Sequence, residues 1–201
     1  MIEVPRTFVL TVNRHIPKFD ITAAHLDAMG IKWERFDAFD NRIFRLTPVD
    51  TFDVDRAGEH IGVTHVCAAM SHYMLWKVMM YLPEDVFWVL EFDAQFVPDW
   101  REKYEEAMSV LPPDWDIVFI GSCCCQGRHT THVAKNLYEV RYPLCGHAIM
   151  YRKKALPILL QEHQRIWAPL DIAMTYDSLP KLRVYTILPR IVDQIQTWIP
   201  V

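Results

Sequence analysis

The chain has 201 residues, 51% of them apolar, 12% aromatic and 23% charged, with a formal net charge of -4. That profile fits a single globular domain over residues 1–201 with an aromatic-rich core, and the negative balance argues against a nucleic-acid-binding surface. No window reaches the roughly 20 apolar residues needed to cross a bilayer, and the amino terminus carries no basic-then-apolar leader.

In chain order, Thr7 to Val12 is a short β-branched run and reads as the first strand. Residues 20–29 carry apolar positions at helical spacing, with Asp20 as N-cap and Gly30 as the stop. Ile31 to Phe36 reads as a second strand, and residues 41–62 as loop with partial helix. The clearest helix runs from Thr64 to Leu82, ended by Pro83. Val86 to Leu90 is a buried strand, residues 99–110 an amphipathic helix with Asp99 as N-cap, and Ile117 to Ile120 another apolar strand. Leu144 to Tyr151 reads as a strand pair or a bent strand, Arg152 to Gln164 as a helix with Pro157 in its first turn, and Val184 to Leu188 as a last strand before an extended tail. Helices alternating with strands that are apolar throughout predict an α/β sheet covered on both faces.

The five cysteines are Cys67, Cys123, Cys124, Cys125 and Cys145. An odd number with three adjacent is a poor disulfide framework, so reduced thiols and a cytoplasmic location are expected. Cys123 to Cys125 with His129 and His132 are zinc-ligand types, but their spacing matches no standard zinc module, and they read as ordinary thiols after a strand.

Neither a Gly-x-Gly-x-x-Gly nor a P-loop pattern occurs among the six glycines. The chemistry concentrates instead in Trp88 to Phe96, WVLEFDAQF, where a buried strand ends on Glu91 and Asp93. Ligands of open α/β sheets bind beyond the carboxyl ends of strands. Two carboxylates at one point repel unless a proton or cation separates them, and hard oxygen ligands suit Mg²⁺ or Mn²⁺ bridging to phosphate. The bland alternative is a turn acid beside a helix cap. Ser71, His72 and Lys77 share part of a helix face and are suited to contact a diphosphate, or form an ordinary polar side.

Seven segments in order, TVNR (11–14), FDAFD (36–40), CAAMSHYMLWK (67–77), VLEFDAQFVPDW (89–100), LPPDWDIVFIG (111–121), CGHAIMYRKKAL (145–156) and APLDIAM (168–174), resemble the glycosyltransferase family 25 group, which includes lipooligosaccharide and collagen galactosyltransferases. The resemblance spans nearly the whole chain. It implies a GT-A-like fold, a Rossmann-like mixed sheet flanked by helices, and transfer of a hexose from a nucleotide-diphosphate sugar, a UDP-sugar first, to a glycan or glycoprotein hydroxyl. By the same resemblance Thr11, Asn13 and Arg14 line the nucleotide pocket, with Ala38 beside the base. Ser71, His72 and Lys77 lie near the donor, and His147 matches the histidine of a Gly-Thr-His-Ala-Tyr segment. Asp93 is the expected ligand of Mn²⁺ or Mg²⁺ in a DxD-like motif, with Glu91 as its partner. Asp171 is the candidate general base of an inverting reaction. The sequence departs from the family at Phe92, where the middle acid of Glu-Asp-Asp is expected, and in Cys145-Gly146-His147-Ala148-Ile149, where Thr and Tyr are lost. A non-catalytic carbohydrate- or nucleotide-binding relative with a decayed acidic site is the alternative.

Overall fold

The computed structural model describes residues 2–43, 61–123 and 129–195. Its centre is an eight-stranded sheet of β1 (Arg6–Thr11), β2 (Trp33–Asp37), β3 (Val86–Glu91), β5 (Ile117–Gly121), β6 (Thr130–Ala134), β7 (Leu137–Val140), β8 (Ala148–Arg152) and β9 (Val184–Ile187), in the order β2-β1-β3-β8-β5-β9-β7-β6. β1 is parallel to β2 and β3, and β5 is parallel to β9. β8 runs antiparallel between β3 and β5, and β7 antiparallel between β9 and β6, so the sheet is mixed. β4 (Ala94–Phe96) and β10 (Val192–Gln194) form a separate antiparallel pair beyond the end of β3.

Strand periodicity divides the core in two. Val9, Trp88, Leu90, Val118 and Met150 point to one face, where Phe19 and Leu26 of α1 (Ile16–Ala28) and Trp100 and Tyr104 of α3 (Trp100–Met108) cover them. Phe8, Leu10, Phe87, Val89 and Phe119 point to the other, under Leu75, Trp76 and Met79 of α2 (Val63–Tyr81) and Leu156 and Leu159 of α4 (Leu156–Glu162). Leu75, Trp76 and Met79 are fully buried, and apolar side chains of this kind contribute roughly 1.5–3 kcal/mol each on burial. Leu82 ends α2 in an extended conformation because Pro83 disfavours the helical region for the residue before it.

Several boundaries differ from the sequence reading. α1 begins at Ile16, with Pro17 in the first turn where its missing N–H costs nothing, so Asp20 lies inside the helix and does not cap it. Gly30 does end it: its φ of 66° is left-handed, and the nitrogen of Ile31 reaches back to the carbonyl of Leu26 at 3.0 Å. Asp99 sits at the N-cap of α3, but its carboxylate makes no capping bond and pairs with Lys103 at 2.8 Å. The strand in this region, Ala148–Arg152, begins four residues later than read and ends one later, and a 3₁₀ turn at Lys153–Ala155 precedes α4. The tail after Pro189 adds β10. The β6–β7 hairpin went unread because β6 faces solvent along most of its length and shows no apolar run. Most of the 41–62 loop, and Cys124 and Cys125, lie outside the described residues.

The reading of all cysteines as reduced thiols is corrected: Cys123 and Cys145 form a disulfide with Cα atoms 5.4 Å apart. They are 22 residues apart in sequence, and the antiparallel pairing of β5 with β8 is what brings them together. Cys67 is free and buried. No helix among the described residues is long and apolar enough to cross a membrane.

Candidate functional site

Parallel pairing puts the carboxyl ends of β1 and β3 side by side, with Leu10 opposite Glu91. The antiparallel β8 brings its amino end to the same place, where the nitrogen of Glu91 donates to the carbonyl of His147 at 2.9 Å. The first half of α2 lies over this edge. Between them are two adjoining cavities. One, of about 210 Å³, is lined by Thr11, Arg14, Ala38, Ser71, His72 and Glu91 among others. The second, of about 160 Å³, is lined by His72, Glu91, Gly146, Cys145 and Asp171 among others. His72 and Glu91, with Ala68, belong to both walls, so Glu91 stands at the junction.

Burial pushes the Glu91 carboxyl up to about 7, and the nearby charges of Asp93 and Asp171 add to the shift. Burial likewise raises Asp93, against the opposing charge of Lys18 and a hydrogen bond from Gln194. Asp93 lines neither cavity, and its Oδ1 is buried without a hydrogen-bond partner. His72 is driven down to about 4 by burial alone, so its imidazole is neutral at physiological pH. His147 is also lowered, chiefly by burial, while its Nε2 lies 3.0 Å from the carbonyl of Val192. Gly121 makes room for that ring: a Cβ there would stand 2.5 Å from His147 Nε2 and 2.7 Å from the Val192 carbonyl oxygen.

The sequence-predicted residues distribute unevenly. Thr11, Arg14, Ala38, Ser71, His72 and Glu91 meet in one cavity wall. Ser71 works there through the backbone: its hydroxyl donates to the Cys67 carbonyl at 2.6 Å and accepts from the nitrogen of Phe39 at 2.9 Å, fixing the loop that carries Ala38. The guanidinium of Arg14 is engaged by Asp40 and Asn41, so its charge is already neutralised. Asn13 lines a neighbouring depression with Ala38 and accepts a hydrogen bond from Arg35 at 2.6 Å. Lys77 is exposed, stacks over Tyr73 at 4.8 Å and lines neither cavity. Asp171 opens the short helix α5 (Leu170–Ala173), and its two oxygens accept from the nitrogens of Cys145 and Ile172, each at 2.9 Å.

His15 escaped the sequence reading, and Phe92 entered it only as a departure from the family pattern. His15 and Phe92 stack with ring centroids 3.9 Å apart, and both line the larger cavity beside Glu91. The departure at Phe92 was the available signal, but its partner is set by the turn from β1 into α1. Among the described residues, no group of three or more His, Cys, Asp or Glu side chains is arranged to hold a metal ion. The unpartnered Asp93 Oδ1 and the proton-retaining Glu91 are both features that a nearby cation relieves.

No family model matches the chain, and no curated protein does. Solved structures do. The chain is similar to a glycosyltransferase involved in the glycosylation of the major capsid of PBCV-1, at 14% identity over 92% of this chain and 82% of that one, with a TM-score of 0.50. An active-site variant of LgtC matches at 11% identity over 90% of this chain and 72% of that one, with a TM-score of 0.46. The fold is GT-A-like: a mixed α/β sheet flanked by helices, shared with a glycosyltransferase.

Proposed function

We propose that the chain is a glycosyltransferase that moves a hexose from a nucleotide-diphosphate sugar to a glycan or glycoprotein hydroxyl. The observation that carries this reading is Glu91, shared by two adjoining cavities at the carboxyl ends of β1 and β3. Two small compartments with one acid between them suit a reaction that joins two substrates. The larger, walled by Thr11, Ala38 and the His15–Phe92 stack, suits a nucleoside. The smaller, holding Asp171, suits the acceptor hydroxyl. The family 25 resemblance of the motifs supports the same division, with a UDP-sugar as donor.

Asp93 and Glu91 are the residues that would hold Mn²⁺ or Mg²⁺, and the chemistry such an ion would supply there is positive charge against the diphosphate leaving group. In an inverting transfer the acceptor oxygen bonds to the anomeric carbon, the carbon–oxygen bond to the diphosphate breaks, and Asp171 takes the hydroxyl proton. The main-chain donors from Cys145 and Ile172 hold that carboxylate in orientation. His72, kept neutral by burial in the wall the two cavities share, offers hydrogen bonding and no charge, while His147 lines neither cavity and is engaged by the Val192 carbonyl. Lys77 is left out of this scheme by its exposed position.

A second reading has its own observation. Phe92, stacked on His15 where the family has an acid, fits a relative that binds nucleotide without turnover. Calorimetry with UDP-, GDP- and CMP-sugars, with and without Mn²⁺, separates the two. Donor binding strengthened by Mn²⁺ and weakened in Asp93→Ala, together with turnover, supports the enzyme. Binding indifferent to both, without turnover, supports the second reading, and no binding at all sinks both.

A further inference from the structure

A further cavity lies outside this site. It is a cleft of about 460 Å³ between β7, the start of β9 and the π-helical turn Met174–Ser178. Its wall includes Glu139, Arg141, Tyr142, Thr175, Lys181 and Arg183. Thr175 is 4% exposed, and its hydroxyl is buried with no hydrogen-bond partner among the described residues. A buried hydroxyl left in that state has lost its bonds to water without replacement, and a ligand in the cleft that bonds it recovers that cost.

The charges select among ligands. Lys181 is paired with Glu162, and Arg183 lies 3.6 Å from Asp114. Neither Arg141 nor Glu139 makes a side-chain ion pair with another described residue. A bare anion meets Glu139 and a bare cation meets three basic side chains. A polyhydroxylated neutral ligand uses both, donating to Glu139 and accepting from Arg141.

Tyr142 of the cleft wall belongs to a row of neighbouring aromatic side chains, here the aromatic rim. Ring centroids of His129 and Tyr142 are 4.6 Å apart, those of Tyr142 and Tyr176 6.2 Å, and those of Tyr176 and Trp167 6.3 Å. Tyr142 is 40% exposed and Tyr176 58%. Side chains with an apolar face and a polar tip, held rigidly at the surface, are suited to stack on the C–H faces of sugar rings while bonding their hydroxyls. The cleft and the site adjoin along one helical segment: Met174 lines the 160 Å³ cavity of Asp171, and its neighbour Thr175 lines the cleft.

We infer that this cleft and its aromatic rim bind an oligosaccharide, holding the non-reacting sugars of the acceptor while its terminal hydroxyl reaches Asp171. The acceptor role rests on the glycosyltransferase reading; the oligosaccharide site does not. The test is binding of the full chain, without any donor, to an array of neutral, uronic-acid-bearing and phosphorylated di- to tetrasaccharides. The variants are Tyr176→Ala, Arg141→Gln and Thr175→Val, the first two at exposed positions where folding is not at risk. Neutral glycans are expected to bind the wild type and to lose about tenfold or more in affinity in each variant, while UDP binding changes less than twofold. Absence of glycan binding to the wild type, a preference for the charged glycans alone, or binding that survives all three substitutions overturns the inference. Glycan binding with this mutational pattern in a chain that binds no nucleotide sugar supports the cleft and overturns the transferase reading.

Discussion

The nitrogen of Glu91 donates to the carbonyl of His147 at 2.9 Å, joining the end of β3 to the approach to β8. The imidazole of His147 in turn meets the Val192 carbonyl over Gly121. Three segments distant in sequence thus fix one another through a space that only glycine leaves open. Gly121→Ala is expected to destabilise the chain by about 1–3 kcal/mol, because the new methyl meets backbone on one side and a buried ring on the other. Urea unfolding of variant and wild type measures it, and an unchanged midpoint contradicts the packing described.

Glu91 and His72 together give stability two opposed dependences on pH. The Glu91 carboxyl is raised from 4.5 to about 7, so the folded state holds its proton more tightly than the unfolded chain does. That contribution is complete below pH 4.5 and is lost as pH rises through 7. His72 is lowered from 6.5 to about 4, so its contribution is present above pH 6.5 and is lost as pH falls through 4. Thermal unfolding between pH 4 and 8 is expected to show both slopes. Glu91→Gln should flatten the alkaline one, leaving the variant about 1–3 kcal/mol more stable relative to wild type at pH 8 than at pH 4.5. Equal slopes in the two proteins refute the assignment.

Ser71→Ala removes the hydroxyl that ties α2 to the nitrogen of Phe39. It leaves that donor without its partner, at an expected cost of about 1–3 kcal/mol. Because the loop also carries Ala38, nucleotide binding should weaken with it. Calorimetry with UDP alongside denaturant unfolding checks both; a loss of stability with unaltered UDP affinity separates the loop from the binding site.

Asp171→Asn retains the size of the side chain and one carbonyl acceptor for the main-chain donors, and removes the basic oxygen. Turnover is expected to fall about 10²–10⁴-fold with donor affinity unchanged, the range for a lost general base. A variant with wild-type turnover excludes Asp171 from proton transfer.

Asp93→Ala should weaken donor binding in the presence of Mn²⁺ and leave metal-free binding little altered, which titrations in Mn²⁺ and in a chelator compare directly. Identical affinities under the two conditions, in wild type as in variant, remove the metal from the scheme.

Much of the framework was legible in the chain. The apolar runs at Val86 and Ile117 and the long helix before Pro83 each lie within a residue or two of their observed limits, because buried strands and helices write their periodicity into sequence. The strand β6 and the pair β4 with β10 were not legible, since short or solvent-facing strands owe their conformation to partners. The chemically interesting positions were legible only as types. Glu91 was marked by its place at the end of a buried run, while the engagement of Arg14 by Asp40 and the exposure of Lys77 depend on where other segments lie.

By itself, then, the sequence determined an α/β sheet covered on both faces and the strand end at which acids collect. Both follow from local periodicity and from the cost of burying charge. Tertiary structure alone decided that Glu91 belongs to two cavities, that Phe92 stacks on His15, that Cys123 meets Cys145, and that Tyr142 meets Tyr176. Those relations join segments tens of residues apart, and strand order and register, which no local pattern encodes, bring them into contact.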